Sequence, residues 1–283
     1  MRSFVPDYDL ACATDLDGAL SLLNEGWRPM AGGTDLMVLF NAGKLPFRKL
    51  VSVRRTEELL AIEVNDREIS VGAAVTYRRI REHEVLRDEF PLLCLAASWT
   101  GSLANQNRGT LGGNIANASP AADSAPILLV YDAELELVAS GGSRRIPYRN
   151  FHTGYKQMQI RDDELIRAIH LRRTTAGWRQ YGRKVGPRKA QAISKVCFAA
   201  ASEIRGSVIG DIRIAAGSVA PVPLRCYTTE SMLRGQKLSS NLVETAAKTI
   251  SQEVQPITDM RSTANYRRIV TANLLGEFLQ SLR

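Results

Sequence analysis

The stretch RGTLGGNIANASPAADSAPILL, residues 108–129, is the part of the sequence that decides how the fold is interpreted. It joins two adjacent glycines, two asparagines and one aspartate directly to an apolar run that continues through Val130. A surface loop is usually polar and ends in a turn, whereas this segment is rich in alanine, isoleucine and leucine. The pattern indicates a segment that lies against another group rather than a plain surface loop, and the residues alone leave open what that group is.

A second glycine pair lies near the start of the chain, in AGGTD at residues 31–35, and resembles TLGGN at residues 110–114. Glycine pairs between a strand and a helix let backbone N–H groups point outward together and let an anion approach closely. A helix behind the first turn would add its dipole. Two such turns could hold the two halves of a pyrophosphate, although either pair alone is also an ordinary turn. Neither has the spacing of GxGxxG or GxxxxGK[ST].

The composition is that of a globular protein, with 283 residues of which 45% are hydrophobic and 23% charged. No apolar run approaches the roughly 18 residues of a membrane-spanning helix, so none is predicted. The first twenty residues contain acids where a signal peptide has its apolar segment. These features predict a cytoplasmic protein.

The net charge of +8 does not by itself indicate nucleic-acid binding, because most basic residues are interspersed with acids. Residues 172–189 form the one dense basic run, which fits a solvated face or a surface for an acidic partner equally well. No pattern typical of nucleic-acid recognition accompanies it, and no nucleic-acid partner is predicted.

The thiols and imidazoles do not form a recognisable metal or catalytic set. No CxxC pair occurs, so the cysteines are predicted to be isolated reduced thiols rather than ligands of an iron-sulfur cluster or zinc. The histidines lie in charged or strand contexts that favour surface or packing roles. The residues concerned are Cys12, Cys94, Cys197, Cys226, His83, His152 and His170.

Hydrophobic periodicity predicts a mixed chain of the α+β class, because successive strands outnumber strict strand-helix-strand units. Residues 14–25 predict an amphipathic helix with Thr14 as its N-cap and Gly26 as its stop. Gly141 and Gly142 predict a hairpin. Further helices are expected over residues 76–83, 88–99, 241–253 and 265–282, and strands over 49–54, 60–64, 68–75, 133–140, 144–148, 163–171, 192–206 and 208–220.

Three segments together resemble the FAD-binding medium subunit of molybdenum hydroxylases, the family of xanthine dehydrogenase and carbon monoxide dehydrogenase. They are AGGTDLM at 31–37, GTLGGNIANASPAADSAPILL at 109–129 and DMRSTANYRR at 259–268. Each segment alone is common, but the three in this order are specific to that family. The similarity extends over essentially the whole chain.

The resemblance implies a two-subdomain FAD-binding fold of the vanillyl-alcohol oxidase (PCMH) type, followed by a smaller α+β C-terminal domain. The FAD-binding domain is expected over residues 1–175, with subdomains at about 1–55 and 56–175, and the C-terminal domain over 176–283. Arg261, in the third segment, is expected to fix the C-terminal domain through a buried ion pair, with a subunit contact as the alternative.

The resemblance also implies which residues bind FAD. The first glycine turn would hold the pyrophosphate through Met30, Ala31, Gly32, Gly33, Thr34, Asp35 and Leu36. The second would hold its other side and the ribityl chain through Thr110, Gly112, Gly113 and Asn114, while Asn117, Ala118 and Ala122 line the cofactor. Asp123 would accept a hydrogen bond from a sugar hydroxyl, Leu165 and Ile166 would cover the adenine or flavin, and Lys184 would lie near the flavin ring. Thr100 stands where some relatives have an aromatic residue. No catalytic residue and no metal ligand is assigned.

The function implied is electron transfer. Electrons would leave a substrate at a molybdenum cofactor in a separate large subunit, pass two-iron, two-sulfur clusters in a small subunit, and reach FAD in this chain. The acceptor would be NAD, a quinone, a carrier or oxygen, and the assembly a dimer of heterotrimers. One alternative is a self-sufficient flavin oxidase or reductase whose base is Tyr155, Tyr181 or a histidine. The other is a non-catalytic interaction protein whose glycine loops are only turns.

Overall fold

The computed structural model describes residues 7–283. The strands are β1 Asp9–Cys12, β2 Arg28–Met30, β3 Lys49–Ser52, β4 Ile62–Val64, β5 Glu68–Gly72, β6 Glu134–Ala139, β7 Gly142–Pro147, β8 His152–Gly154, β9 Gln157–Met158, β10 Leu165–Arg172, β11 Arg179–Val185, β12 Val196–Arg205, β13 Val208–Gly217 and β14 Leu224–Arg225. The α-helices are α1 Leu16–Asn24, α2 Leu36–Asn41, α3 Tyr77–Glu82, α4 Glu84–Glu89, α5 Pro91–Trp99, α6 Leu103–Gln106, α7 Leu111–Ala116, α8 Ala125–Val130, α9 Tyr227–Leu233, α10 Ser240–Glu253 and α11 Ala264–Ser281.

The first sheet is parallel, in the order β1-β3-β2, with α1 and α2 in the connections. The short strand β1 was not predicted, because half of its few residues are polar or small. The predicted N-cap of α1 was wrong by one residue. Asp15, not Thr14, caps the helix by accepting a hydrogen bond from the Gly18 N–H at 2.7 Å.

The second sheet is antiparallel, in the order β4-β5-β10-β6-β7, and includes the predicted hairpin of β6 and β7. Helices α3 to α8 provide much of the apolar core beside it. The predicted single helix over residues 88–99 was wrong. Phe90 leaves the helical conformation with φ −125° and ψ 50°, and Pro91 then begins α5 as a new helix, because proline suits a first turn and not a helix interior.

The third sheet is antiparallel, in the order β11-β12-β13-β14, and both of its faces are covered. Along β12, Phe198 and Ala200 face the core formed with α9, α10 and α11, whereas Ala199 and Ala201 face the core that contains α5 and α8. Burial on both faces explains the nearly continuous apolar run that the sequence has there. The basic run predicted as a surface contains β11, in which Arg179 and Arg183 are exposed but the Lys184 side chain is only 7% exposed.

The third motif, DMRSTANYRR, contains a buried arginine, but it is not the predicted one. The Arg261 side chain is 44% exposed and pairs with Asp259. Arg267 is instead the buried residue, with 4% of its side chain exposed, and it also pairs with Asp259. The predicted buried pairing of Arg261 was therefore wrong, because the buried contact belongs to Arg267. The alternative, a subunit contact through Arg261, stays a prediction.

Within residues 7–283, no helix combines the length and the apolar character that crossing a bilayer requires.

Candidate functional site

The first glycine turn presents a row of free backbone donors between β2 and α2. Within the described residues 7–283, the backbone N–H groups of Gly32, Gly33, Thr34 and Asp35 donate no hydrogen bond. Gly33 has φ +72°, which turns the chain so that successive N–H groups can converge. Gly32 is buried and Gly33 and Thr34 are half-buried, whereas Asp35 is exposed. Buried N–H groups are almost always paired, so successive N–H groups without acceptors at the first three positions fit an anion-binding nest.

The two glycine turns lie in direct contact. A Cβ atom added to Gly32 would lie 2.1 Å from the carbonyl oxygen of Arg108 and 2.9 Å from the Cα of Gly109. A Cβ on Gly109 would in turn lie 3.4 Å from the Thr34 hydroxyl oxygen. The structure thus brings together the two segments that the sequence places about 80 residues apart, and only glycine at position 32 permits this approach.

The second glycine turn uses its own donors internally. The Gly112 N–H donates to the Ala73 carbonyl oxygen at 2.9 Å, and the Gly113 N–H donates to the Thr110 hydroxyl at 3.1 Å. The Asn114 side-chain oxygen accepts a bond from the Ser124 hydroxyl at 2.6 Å. The row of free N–H donors therefore lies in the first turn, while the second turn forms the opposite side of the contact between them. Each turn is followed by a six-residue helix, so any helix dipole is small.

The neighbouring glycines of the second turn make different contacts and predict different mutant phenotypes. A Cβ on Gly112 would lie 2.5 Å from the Cβ of Ala73, so we expect Gly112→Ala to destabilise the chain without any bound ligand by about 1–3 kcal/mol through overpacking. A Cβ on Gly113 would approach only the Thr110 hydroxyl, at 2.9 Å. For Gly113→Ala we expect a net change below about 1 kcal/mol, because alanine's helix preference offsets the disturbed cap. Urea unfolding of both variants measures the difference, and equal losses would contradict this packing.

The hairpin of β8 and β9 forms hydrogen bonds with the end of α7 and with the residue that follows it. Asn117 follows the helix, and Ala118 adopts a left-handed conformation with φ +48°. The Lys156 ammonium, between β8 and β9, donates to the side-chain oxygen of Asn117 at 2.6 Å and to its carbonyl oxygen. A ring nitrogen of His152 lies 3.0 Å from the Ile115 carbonyl oxygen. These contacts fix a backbone conformation that a non-glycine residue rarely adopts.

Asp123 and Lys184 form a buried ion pair at the contact between the loop after α7 and β11. Their side chains are 10% and 7% exposed, and Lys184 Nζ lies 2.6 Å from Asp123 Oδ2. Lys184 also donates to the Trp99 carbonyl oxygen at 3.0 Å, and the Ser194 hydroxyl donates to Asp123 Oδ1. Burial raises the pKa of Asp123, against the opposing effects of the lysine charge and both hydrogen bonds.

The structure brings Asp123 and Lys184 together but engages both carboxylate oxygens of Asp123 within the chain. A carboxylate has about four lone-pair sites, so it retains the capacity to accept a bond from a sugar hydroxyl. Ala122 is buried beside it. Leu165 and Ile166 begin β10 and are 7% and 4% exposed, each packed in an apolar cluster.

The two tyrosines named earlier as a candidate catalytic base, Tyr181 and Tyr155, differ from each other in their surroundings. Tyr181 packs between Phe198 and Phe278, with ring centroids 6.1 and 5.9 Å away, inside the C-terminal core. Tyr155 is 68% exposed. Thr100 donates its hydroxyl to the Ala96 carbonyl oxygen at 3.0 Å, at the end of α5.

The predicted packing or surface roles of the histidines are consistent with their contacts. His83 accepts the Leu86 N–H at the start of α4. His152 contacts α7, as described above. His170 lies between Glu68 and Glu136, at 3.2 and 3.0 Å.

Two contributors to the site were not predicted. Arg108 contributes through its backbone carbonyl, for which a sequence carries no signal. Ser194 binds Asp123, yet in the sequence it is only a polar residue before a buried strand. The burial of Lys184 could have been predicted, because alternation along a strand turns one residue of a basic run inward.

Comparison with known proteins identifies the family. Residues 6–172 match the model described as the FAD binding domain in molybdopterin dehydrogenase, and residues 182–282 match the CO dehydrogenase flavoprotein C-terminal domain. The chain therefore belongs to the FAD-binding flavoprotein subunits of the molybdopterin dehydrogenases, which are oxidoreductases, and FAD is its cofactor. The resemblance noted in the sequence is confirmed.

Individual relatives agree with this assignment. The xanthine dehydrogenase FAD-binding subunit of Escherichia coli O157:H7 is 30% identical over 261 residues, covering 90% of this chain and 89% of the relative. The glyceraldehyde dehydrogenase medium chain of Sulfolobus acidocaldarius is 29% identical, covering 94% of this chain and 95% of the relative. A solved carbon monoxide dehydrogenase from Hydrogenophaga pseudoflava superposes with a TM-score of 0.93 at 23% identity, over 97% of this chain and 96% of that one. The expected fold is thus confirmed.

Proposed function

We propose that this chain is the electron-transfer subunit of a heteromeric molybdenum hydroxylase or dehydrogenase. Within the family already assigned, the observation that supports its cofactor role most directly is the row of free N–H groups at Gly32, Gly33, Thr34 and Asp35. A pyrophosphate is the part of FAD that needs several such donors and little steric obstruction.

The residues of both glycine turns fit FAD. The first turn, flanked by Met30 and Leu36, would donate to the pyrophosphate, and the segment from Thr110 to Asn114 would limit its position. Asn117, Ala118 and Ala122 would line the cofactor, Leu165 and Ile166 would exclude water from a ring, and Asp123 would orient a sugar hydroxyl. Lys184, held by Asp123, would lie near the flavin and could donate a hydrogen bond there. Bound FAD supplies one-electron and two-electron chemistry that side chains lack.

We propose partners that match the resemblance: a large subunit with the molybdenum cofactor and a small subunit with two-iron, two-sulfur clusters, arranged as a dimer of heterotrimers. Electrons would leave this chain for NAD, a quinone, a carrier or oxygen. The names of relatives as medium chains support a division of labour among subunits. The packing roles of the histidines and Tyr181 also favour substrate oxidation elsewhere.

The division into a FAD-binding domain over 1–175, with subdomains at about 1–55 and 56–175, and a C-terminal domain over 176–283 is likewise a proposal. The limits of the two family models, 6–172 and 182–282, support the main boundary. Residues 1–6 lie outside the described residues.

The test uses the complex that co-purifies with this chain and follows flavin absorbance after rapid mixing with candidate substrates. We expect a substrate that reduces the molybdenum subunit to bleach the flavin band, and we expect complex prepared without molybdenum to lose this response. Dithionite should still bleach the flavin in both preparations, which controls for cofactor content. Substrate-driven bleaching in the isolated chain would instead identify a self-sufficient flavoenzyme and would contradict the proposal.

A further inference from the structure

Arg267 is a buried arginine at the start of α11 where three segments of the chain meet. Its Nη1 donates to the carbonyl oxygens of Lys195 at 3.1 Å and Ser218 at 2.8 Å, and its Nη2 donates to Asp259 at 2.7 Å. Only 4% of the side chain is exposed. Arginine is seldom buried to this extent unless it is paired, and here Nη1 and Nη2 are paired while the buried Nε has no partner within residues 7–283. The Nη1 bonds fix two carbonyl groups from distant parts of the chain.

Hydrogen bonds connect those two carbonyl groups to the candidate FAD site. The Ser218 N–H donates to the Pro120 carbonyl oxygen at 2.8 Å, and the Ser218 hydroxyl donates to the Ser194 carbonyl oxygen at 3.0 Å. The Ser194 hydroxyl then donates to the Asp123 carboxylate. Arg267 thus contacts Ser218 directly and also holds Lys195, the residue that follows Ser194.

Ser218 itself has an unfavourable backbone conformation. Its φ is +64°, a left-handed conformation that side-chain-bearing residues adopt rarely. Such conformations persist when surrounding contacts determine them, and they are often associated with functional sites. The bonds from Arg267 and to Pro120 are contacts of this kind.

Apolar side chains also attach α11 to the core. Leu275, Phe278 and Leu279 on this helix have no exposed surface and anchor it in the C-terminal core. A buried ion pair contributes less to stability than its distances suggest, because both charges lose hydration. The contacts of Arg267 are therefore better explained by the geometry that they impose on residues 194 and 218.

We propose that Arg267 is a positioning residue of the FAD site, acting through Ser218 and Ser194 on the Asp123 carboxylate. This inference rests on the proposed placement of FAD beside Asp123 and Lys184. It assigns the third motif, DMRSTANYRR, a role in cofactor geometry in addition to its place in the C-terminal domain.

The test compares Arg267→Met and Arg267→Lys with Arg261→Met in the full-length chain. Arg261 is the matched control, because it contacts the same Asp259 but is 44% exposed. Removing charged hydrogen bonds should raise the Kd for FAD about tenfold in Arg267→Met. It should also change the visible circular dichroism of the bound flavin. Arg267→Lys should recover part of both properties, and Arg261→Met should match wild type.

The results of these FAD-binding measurements distinguish a failure of this inference from a failure of the proposed function. If wild type fails to bind FAD, the proposed function fails. If wild type binds FAD and Arg267→Met has the same Kd and dichroism, the positioning role is overturned, even if the melting temperature falls. If neither Arg267 variant folds, Ser218→Ala decides, because it removes only the hydroxyl bond to Ser194. Weaker FAD binding by Ser218→Ala supports the inference, and unchanged binding overturns it.

Discussion

Gly32→Ala is expected to weaken FAD binding by about 100-fold, the equivalent of roughly 3 kcal/mol. The new Cβ would lie 2.1 Å from the Arg108 carbonyl oxygen and 2.7 Å from its carbonyl carbon. Both are backbone atoms, so no rotamer change relieves the overlap and the two glycine turns must separate. The free N–H groups of Gly33 and Thr34 would then lose their position relative to the second turn. Fluorescence quenching during FAD titration measures the Kd.

The control for this substitution is Gly141→Ala. Gly141 lies in the turn between β6 and β7, and a Cβ there has no neighbour within 4 Å. Its FAD affinity should equal that of wild type. A Gly32→Ala variant with unchanged affinity would mean that the contact between the two turns has no role in cofactor binding.

Asp123→Asn should destabilise the FAD-free chain by about 3–5 kcal/mol, because the buried Lys184 loses the one carboxylate with which it pairs among residues 7–283. The substitution preserves size and one acceptor, so its effect reports the charge rather than packing. Lys184 then remains 7% exposed with the Trp99 carbonyl oxygen as its other contact. Urea unfolding at neutral pH measures the loss.

Two further variants test the origin of that loss. Adding Lys184→Met to Asp123→Asn should restore part of the stability, because the unpaired charge is removed. Arg183→Met, on the same strand but with its side chain 59% exposed, should change stability little. A loss below about 1 kcal/mol for Asp123→Asn would indicate that the pair is not isolated from water as the structure has it.

Much of the fold follows from periodicity and turn residues. The amphipathic face of α1, the hairpin of β6 and β7, the two long strands β12 and β13, and the two C-terminal helices were predicted. The predicted helix boundaries that were wrong, at α1 and α5, each depended on a single residue. Thr14 and Asp15 are both good caps, and only the backbone direction selects Asp15. Pro91 begins a helix where the apolar pattern continued through it.

The site was less predictable because it depends on contacts between distant segments. The sequence identifies both glycine pairs, but it does not say that Gly32 touches Arg108 or that the first turn keeps four successive N–H donors free within residues 7–283. The burial of Arg267 could have been predicted from the sequence. This residue shares a helical face with Thr271, Leu274 and Phe278, at spacings of four, seven and eleven residues, so periodicity places it in the core.

The most direct test of the pyrophosphate site compares the binding of FAD and riboflavin to the wild-type chain by calorimetric titration. Riboflavin has the flavin ring and ribityl chain but no pyrophosphate, so it leaves the N–H groups of residues 32–35 without an anion. We expect riboflavin to bind at least about 100-fold more weakly than FAD, because charged hydrogen bonds each contribute about 1.5–3 kcal/mol. Equal affinities for FAD and riboflavin would contradict the assignment of the two glycine turns as the pyrophosphate site.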